Sequence, residues 1–517
     1  MVVSGYWPSQ APYEEIPVPE LLRRTAERFG DKTALIGADG STRTYRQMWS
    51  QARRVARLLQ DHGIEKGDKV GIFSPNHIDY GAILDGIILT GATATTLNPL
   101  YREREIEHQL DDAEAVALFV FSPMAAPVEA ARQNLPRLRN VWPMEDLPEL
   151  LGGVSEEYRP VPINPREDVA ILPYSSGTTG LPKGVMLTHY NITSNVKQGL
   201  ATEQLTSDAV SLCLLPFFHI YGMTILLNTG AALGTTGIVM ARFDLEEMLH
   251  LVGKYRMTNL YLVPPAILAM ANVPDPSRFD TSSLRVIVSG AAPLPPEVAE
   301  QAQSIYGCLV AQGYGLTEAS PTTNTNPLDR IKLESCGPPF ADTFEKIVDM
   351  DTGEELSVGG AGELVVRGPQ VMKGYWKRPQ ETSECLSEDG WLRTGDVGRL
   401  DEDGYLYLLE RKKEFIKYKG YQVAPAELEA ILHEHPAILD AAVVPKAHLE
   451  GGEIPKAFVV LREGFQASPE ELMAFVAERV APYKKVREVE YLTEIPKTAS
   501  GKILRRELIE RERAKKD

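Results

Sequence analysis

Tyr174-Ser175-Ser176-Gly177-Thr178-Thr179-Gly180-Leu181-Pro182-Lys183-Gly184 lies between two apolar runs and sets the reading of the whole chain. Its glycines let backbone N–H groups approach phosphate oxygens, its four serine and threonine hydroxyls donate hydrogen bonds, and Lys183 offsets charge. It is not a Walker A loop, because Pro182 stands where that motif needs its second glycine. Proline has no N–H and restricts Leu181 before it, so Lys183 does not open a phosphate-binding helix. Val169-Ala-Ile-Leu and Val185-Met-Leu-Thr-His read as short strands, which places the loop on a scaffold rather than in a flexible linker.

Outward from this loop, 517 residues exceed one hydrophobic core and predict two or more domains. A net charge of −17 excludes a general nucleic-acid or anionic-membrane binder, so a polyanionic ligand must meet local basic clusters. Cys213, Cys308, Cys336 and Cys385 form no Cys-x-x-Cys pair and suggest neither zinc nor a disulfide framework. The N-terminus shows no basic then apolar leader. The uncharged run Met223 to Met240 is broken by glycines and reads as a buried segment, not a membrane span. A cytoplasmic protein, monomeric or homodimeric, is expected.

Short strands alternate with helical patterns, predicting α/β architecture. Thr33-Ala-Leu-Ile and Ser41-Thr-Arg-Thr read as a hairpin. Thr44 and Gln47 form a capping box for a helix burying Met48, Ala52, Val55, Ala56, Leu58 and Leu59. Leu284-Arg-Val-Ile-Val-Ser runs into the small-residue loop Gly290-Ala291-Ala292-Pro, a strand end of the kind where open α/β sheets bind ligands. From about residue 337, strands separated by glycine and aspartate turns predict a β-rich subdomain. The charged run Glu410-Arg411-Lys412-Lys413-Glu414 marks a boundary, or else a charged hairpin. Beyond it, Pro425 starts a helix and Ser468 with Glu471 caps another. The expected architecture is an α/β N-terminal domain over 1–410, including the small β-rich subdomain, and a mobile α+β C-terminal domain over 411–517.

Three further clusters carry chemistry. Gln312-Gly313-Tyr314-Gly315-Leu316-Thr317-Glu318 fails the dinucleotide fingerprint, because Glu318 stands at its third small position. Its tyrosine face suits a purine, Thr317 a phosphate, and Glu318 an oxygen-ligated Mg²⁺; it also reads as a glycine turn with a capping carboxylate. Asp396, after Thr394-Gly395, suits the two hydroxyls of a ribose, and equally a plain turn. Pro496-Lys-Thr-Ala-Ser-Gly501-Lys502 ends in a lysine that opens a helix, a place where many lysines are merely solvated.

In order and spacing these clusters resemble the acyl-adenylate-forming superfamily, from about Tyr45 to Lys502. The nearest branches are the AMP-forming acyl-CoA synthetases, 4-coumarate–CoA ligases and beetle luciferases. The resemblance implies that a carboxylic acid and MgATP give acyl-AMP and pyrophosphate, after which the C-terminal domain turns and coenzyme A displaces AMP. It implies that Ser175, Ser176, Gly177, Thr178, Thr179, Gly180 and Lys183 hold the β- and γ-phosphates. Ala291, Ala292, Gln312, Gly313, Tyr314 and Gly315 would surround the nucleotide, with Thr317 at the α-phosphate and Thr178 and Glu318 at the metal. Asp396 and Arg411 would take the ribose. Lys502 would stabilise charge developing on the α-phosphate and the attacking carboxylate; no strong base is needed, since a carboxylate is ionised at neutral pH.

The same resemblance places His219, in Leu215-Pro-Phe-Phe-His-Ile-Tyr-Gly, beside the acyl carboxylate. Lys417, Lys419 and Gly420 resemble the loop that serves thioester formation, and Glu410 to Lys413 the hinge, with Glu410 where many relatives have aspartate. The acyl pocket is expected between His219, Tyr221 and the strand end Ser289-Gly290-Ala291, with Gly313 and Gly315 leaving room in its wall. No cation stands among these residues to pair a second carboxylate, so an apolar monocarboxylate, aryl or fatty, is expected. The alternatives are a free-standing adenylating enzyme that passes its acyl group to a carrier protein or to oxygen, and a non-catalytic nucleotide-binding relative.

Overall fold

The computed structural model describes residues 2–175, 182–202, 205–292, 294, 296–350, 352–411, 416–423, 425–448, 452–496, 503, 505–513 and 515. The phosphate-loop residues Ser176 to Gly180, the hinge residues Lys412 and Lys413, and Lys502 lie outside the described residues.

Apolar runs without alternation become central parallel strands, buried on both faces. Lys69–Phe73 pairs in parallel with Thr93–Leu97 on one side and Ala115–Val120 on the other, and Val70, Ile72 and Phe73 are fully buried. Asn140–Pro143 and Val169–Ile171 extend this sheet in parallel, and Lys183–Thr188 and Gly374–Tyr375 finish it in antiparallel pairing. A second sheet runs Thr322–Thr325, Leu309–Gly315, Val286–Ser289, Asn259–Leu262, Val210–Cys213, Thr236–Val239, Thr33–Ile36 and Thr42–Thr44. It is parallel except at its two end pairs, one of which is the expected hairpin at Thr33 to Thr44.

The helix Tyr45–Asp61 starts at the expected capping box of Thr44 and Gln47 and buries Met48, Ala52, Val55, Ala56, Leu58 and Leu59. It packs closely on Tyr80–Leu89, where a Cβ on Gly86 would stand 2.5 Å from Val55 Cβ. The uncharged run after His219 is buried as expected: a helical path through the π-helical turn Met223–Asn228, then the strand Thr236–Val239. Among the described residues, no helix is long and apolar enough to cross a membrane.

The β-rich subdomain is a four-stranded antiparallel sheet of Phe344–Val348, Gly362–Arg367, Leu392–Leu400 and Leu406–Arg411. Arg411 pairs in register with Asp396, so it belongs to this sheet and not to the C-terminal unit, contrary to a boundary drawn before it. The C-terminal unit has its own core around Ile438–His448 and Gly452–Leu461. Helix Pro425–His433 begins at the expected proline, and Ser468 with Glu471 forms the expected capping box.

Candidate active site

One cavity of about 320 Å³ opens where both large sheets, the β-rich subdomain and the C-terminal unit meet. Ser175, His219, Tyr221, Gly290, Ala291, Gly313, Tyr314, Gly315, Thr317, Glu318, Asp396 and Gly420, drawn from separate sequence clusters, all line it.

On the nucleotide side, Leu309–Gly315 carries Tyr314 to the wall, and its hydroxyl donates to Asp396 Oδ2 at 2.6 Å. Both groups are almost fully buried. The short turn Thr317–Ala319 presents Thr317 and Glu318. Glu318 Oε1 accepts from the Ser175 hydroxyl at 3.0 Å and from the Tyr375 hydroxyl at 2.8 Å, leaving Oε2 outside both bonds. Lys183 Nζ stands 5.5 Å from the centre of the Tyr375 ring and 3.9 Å from Glu381. Tyr375 therefore joins the carboxylate to the lysine of the glycine loop. Ala291 holds φ of 69° at the cavity rim, a left-handed conformation costly for a residue with a Cβ.

Four expectations are corrected. Gln312 does not line the cavity: its side chain accepts from Leu294 N–H at 2.8 Å and donates to the carbonyls of Leu294 and Leu333, so it braces the loop after Val286–Ser289. Ser289 pairs with Gln312 in parallel register, on the same face turned away from the cavity; its neighbours Val288 and Gly290 line the cavity instead. Ala292 also lies off the wall. Gly313 and Gly315 do not leave room for the acyl group, because a Cβ there would meet Asn324 O at 3.0 Å and Pro321 O at 2.3 Å. Their missing side chains serve the antiparallel turn onto Thr322–Thr325.

On the acyl side, His219 caps the helical segment that follows it, with Nδ1 accepting from Tyr221 N–H at 3.2 Å. Burial by the surrounding walls pushes its imidazole down to about 4. Solvent reaches the ring through the cavity and opposes part of that shift, but the direction keeps it neutral at pH 7. With Nδ1 accepting, the ring proton sits on Nε2, which becomes the donor available to a carboxylate. Tyr261, Val263, Val288, Leu316 and Ile225 add apolar surface to the cavity. A Cβ on Gly290 would lie 2.8 Å from the Tyr221 hydroxyl, so the glycine sets the space beside that ring.

The C-terminal unit closes the opposite side. Ile416–Tyr418 and Tyr421–Val423 form a hairpin whose two loop residues, Lys419 and Gly420, have φ of 49° and 84°. This is the two-residue turn with both central residues left-handed, for which glycine is the natural second residue. Gly420 and Tyr421 line the cavity, and a Cβ on Gly420 would stand 3.8 Å from Val263. Lys417 and Lys419 are not wall residues.

Sequence reasoning missed Tyr375, Tyr261, Tyr483 and Lys484, all of which line the cavity. Only Tyr375 carried a local signal, an aromatic following Gly374 in a two-residue strand.

Residues 22–376 match the family described as AMP-binding enzyme, and residues 427–502 match its C-terminal domain. The 4-coumarate–CoA ligase of Pinus taeda is 40% identical over 522 residues, covering 97% of this chain and 96% of that protein. A long-chain-fatty-acid–CoA ligase of Bacillus subtilis is 36% identical, covering 98% and 97%. The crystal structure of a long-chain-fatty-acid–CoA ligase from Archaeoglobus fulgidus superposes with a TM-score of 0.81 at 32% identity, over 95% of this chain and 100% of that one. With both domain matches in chain order and near full-length likeness, this chain belongs to the AMP-binding enzyme family.

Proposed function

We propose that the protein is an ATP-dependent, AMP-forming acid–CoA ligase acting on an apolar monocarboxylic acid. The observation that carries this is Gly420, in the hairpin turn of the C-terminal unit, lining the same cavity as His219, Tyr314, Glu318 and Asp396. In the first step the acid's carboxylate attacks the α-phosphorus and pyrophosphate leaves. In the second the thiol of coenzyme A attacks the acyl carbon and AMP leaves. A thiol must reach the acyl carbon along a path free of side chains, and a glycine at the wall supplies one.

Tyr314 offers its ring to the adenine, and Asp396 and Arg411 stand side by side in register for the ribose. Thr317 serves the α-phosphate, Ser175 to Lys183 the outer phosphates, and Lys502 the charge that develops during adenylation. The carboxylate of Glu318 fits Mg²⁺, a cation that takes hard oxygen ligands, with Oε1 steadied by two hydroxyl donors. That ion would neutralise the phosphates of bound ATP. His219 Nε2–H orients the acid's carboxylate.

The wall supports an apolar monocarboxylate. Arg393 and Lys484 line the cavity but are paired with Glu363 and with Glu105 and Glu427, so neither serves a second substrate carboxylate. A pyrophosphate-release screen over aromatic and C2 to C18 acids, with and without coenzyme A, tests the reading. Thioester must appear with AMP; acyl-AMP that accumulates while coenzyme A stays inert would favour a carrier protein or oxygen as acceptor.

A further inference from the structure

The C-terminal unit meets the N-terminal domain through a buried ammonium. Lys484 Nζ lies 2.8 Å from Glu105 Oε1 and 3.0 Å from Glu427 Oε1, and all three side chains are under 10% exposed. Glu427 sits on helix Pro425–His433 of the same unit, whereas Glu105 sits on helix Glu103–Asp112 of the N-terminal domain. The Tyr101 ring stands 5.0 Å from the same Nζ, and Asn98 Nδ2 donates to the Tyr483 hydroxyl at 3.0 Å. Tyr483 stacks on Tyr421 with ring centres 4.3 Å apart, and Tyr421 directly follows Gly420. The contacts thus run without a gap from Glu105 through Lys484, Tyr483 and Tyr421 to the turn in the cavity wall.

Burying these charges is costly, and apolar clusters of the same volume often hold two surfaces together as well or better. Glu427 Oε2 is buried with no hydrogen-bond partner, a further cost. The ammonium nevertheless stays charged: burial opposes its proton, but Glu427 and Glu105 hold it well above the usual lysine range. What a charged cluster adds over an apolar one is a demand for one geometry. If the C-terminal unit turns between half-reactions, Lys484 takes Glu427 along but leaves Glu105 behind. Glu105 is therefore the partner that only the present pose supplies.

We propose that Lys484 is a positioning residue whose ion pair with Glu105 selects the pose in which Gly420 and Tyr421 face the acyl end of the cavity, and thereby serves acyl transfer to the thiol and not adenylation. This rests on the two-step reading above.

The test uses the full chain with Glu105→Gln, Lys484→Gln and the double variant. Thioester formation is measured from supplied acyl-AMP and coenzyme A, and adenylation separately by ATP–pyrophosphate exchange. A third readout needs no acceptor. Arg104 and Glu434 form an exposed ion pair across the same joint. Arg104→Cys with Glu434→Cys, treated with a short bis-maleimide, reports how often the joint is closed. Glu105→Gln should slow thioester formation at least about tenfold and slow cross-linking in parallel, while exchange keeps its wild-type rate and so certifies the fold. Adding Glu105→Gln to Lys484→Gln should change little further. Equal losses in both half-reactions, loss in neither, or unaltered cross-linking would overturn the positioning role. If the wild-type protein forms no thioester, the ligase reading fails, and cross-linking alone still decides whether Glu105 closes the joint.

Discussion

The Tyr314 hydroxyl reaches across from one sheet to another to donate a 2.6 Å hydrogen bond to Asp396. Leu309–Gly315 belongs to the large parallel sheet and Leu392–Leu400 to the antiparallel subdomain, so the bond fixes the Tyr314 ring against the Asp396 carboxylate.

Tyr314→Phe keeps the ring and loses that bond. A hydrogen bond to a charged group contributes about 1.5 kcal/mol or more, so KM for ATP should rise roughly tenfold with kcat little changed. Steady-state kinetics in ATP check this, and an unchanged KM would mean that packing alone orients the ring.

Tyr375→Phe and Ser175→Ala each remove one donor from Glu318 Oε1. Either should raise the Mg²⁺ concentration that half-saturates pyrophosphate exchange by several-fold, about 1 kcal/mol per lost bond. The double variant should fall short of the summed effects, since both donors steady one oxygen. An Mg²⁺ dependence identical to wild type in all three would show that Glu318 needs neither hydroxyl.

Lys502→Ala and Gly420→Trp should divide the reaction. The first should lose adenylation by about 3 kcal/mol, roughly a hundredfold, through one missing charge contact in the transition state. The second strains a left-handed position and fills the wall beside Val263, so it should stop thioester formation from supplied acyl-AMP while exchange continues. If Gly420→Trp transfers acyl groups at the normal rate, the thiol enters elsewhere.

Gly290→Ala puts a methyl 2.8 Å from the Tyr221 hydroxyl. It should weaken acid binding by about 1–3 kcal/mol through overpacking, and Tyr221→Phe in the same chain should recover part of that loss. Acid KM values for the single and double variants decide it; no recovery would place the clash outside the acyl site.

His189 is buried, its Nδ1 accepts from Val18 N–H, and burial pushes its imidazole down to about 4. An unfolded histidine binds its proton near pH 6.5, so between about 6.5 and 4 the unfolded chain holds more protons and stability is lost as the pH falls through that window. The loss should approach about 3 kcal/mol at the acid end of that window. Urea unfolding at pH 7.5 and 5 measures it, and His189→Gln should flatten the slope; an equal slope in the variant would assign the acid loss to other groups.

Much of the scaffold was legible because local chemistry and tertiary packing agree. The capping boxes at Thr44 and Ser468, the hairpin from Thr33 and the run Val70 to Phe73 each state one structure, and each adopts it. Face and register were less legible. Gln312 sits one residue from Gly313 in the same motif, yet strand alternation turns its side chain to the loop at Leu294. Gly315 looked like space for a substrate, whereas the Pro321 carbonyl, just before the neighbouring strand, claims that space. Glu105 and Lys484 are 379 positions apart, and nothing local in either segment announces the partner.

The last wall of the cavity is carried on a unit with its own buried core. Such an arrangement separates two kinds of inheritance. On the ligase reading proposed above, changes around Tyr221, Tyr261 and Val288 would retune which acid is accepted without disturbing the acceptor side. Conversely, a C-terminal unit borrowed from another member would bring its own acceptor entrance, provided it also brings a cation to meet Glu105.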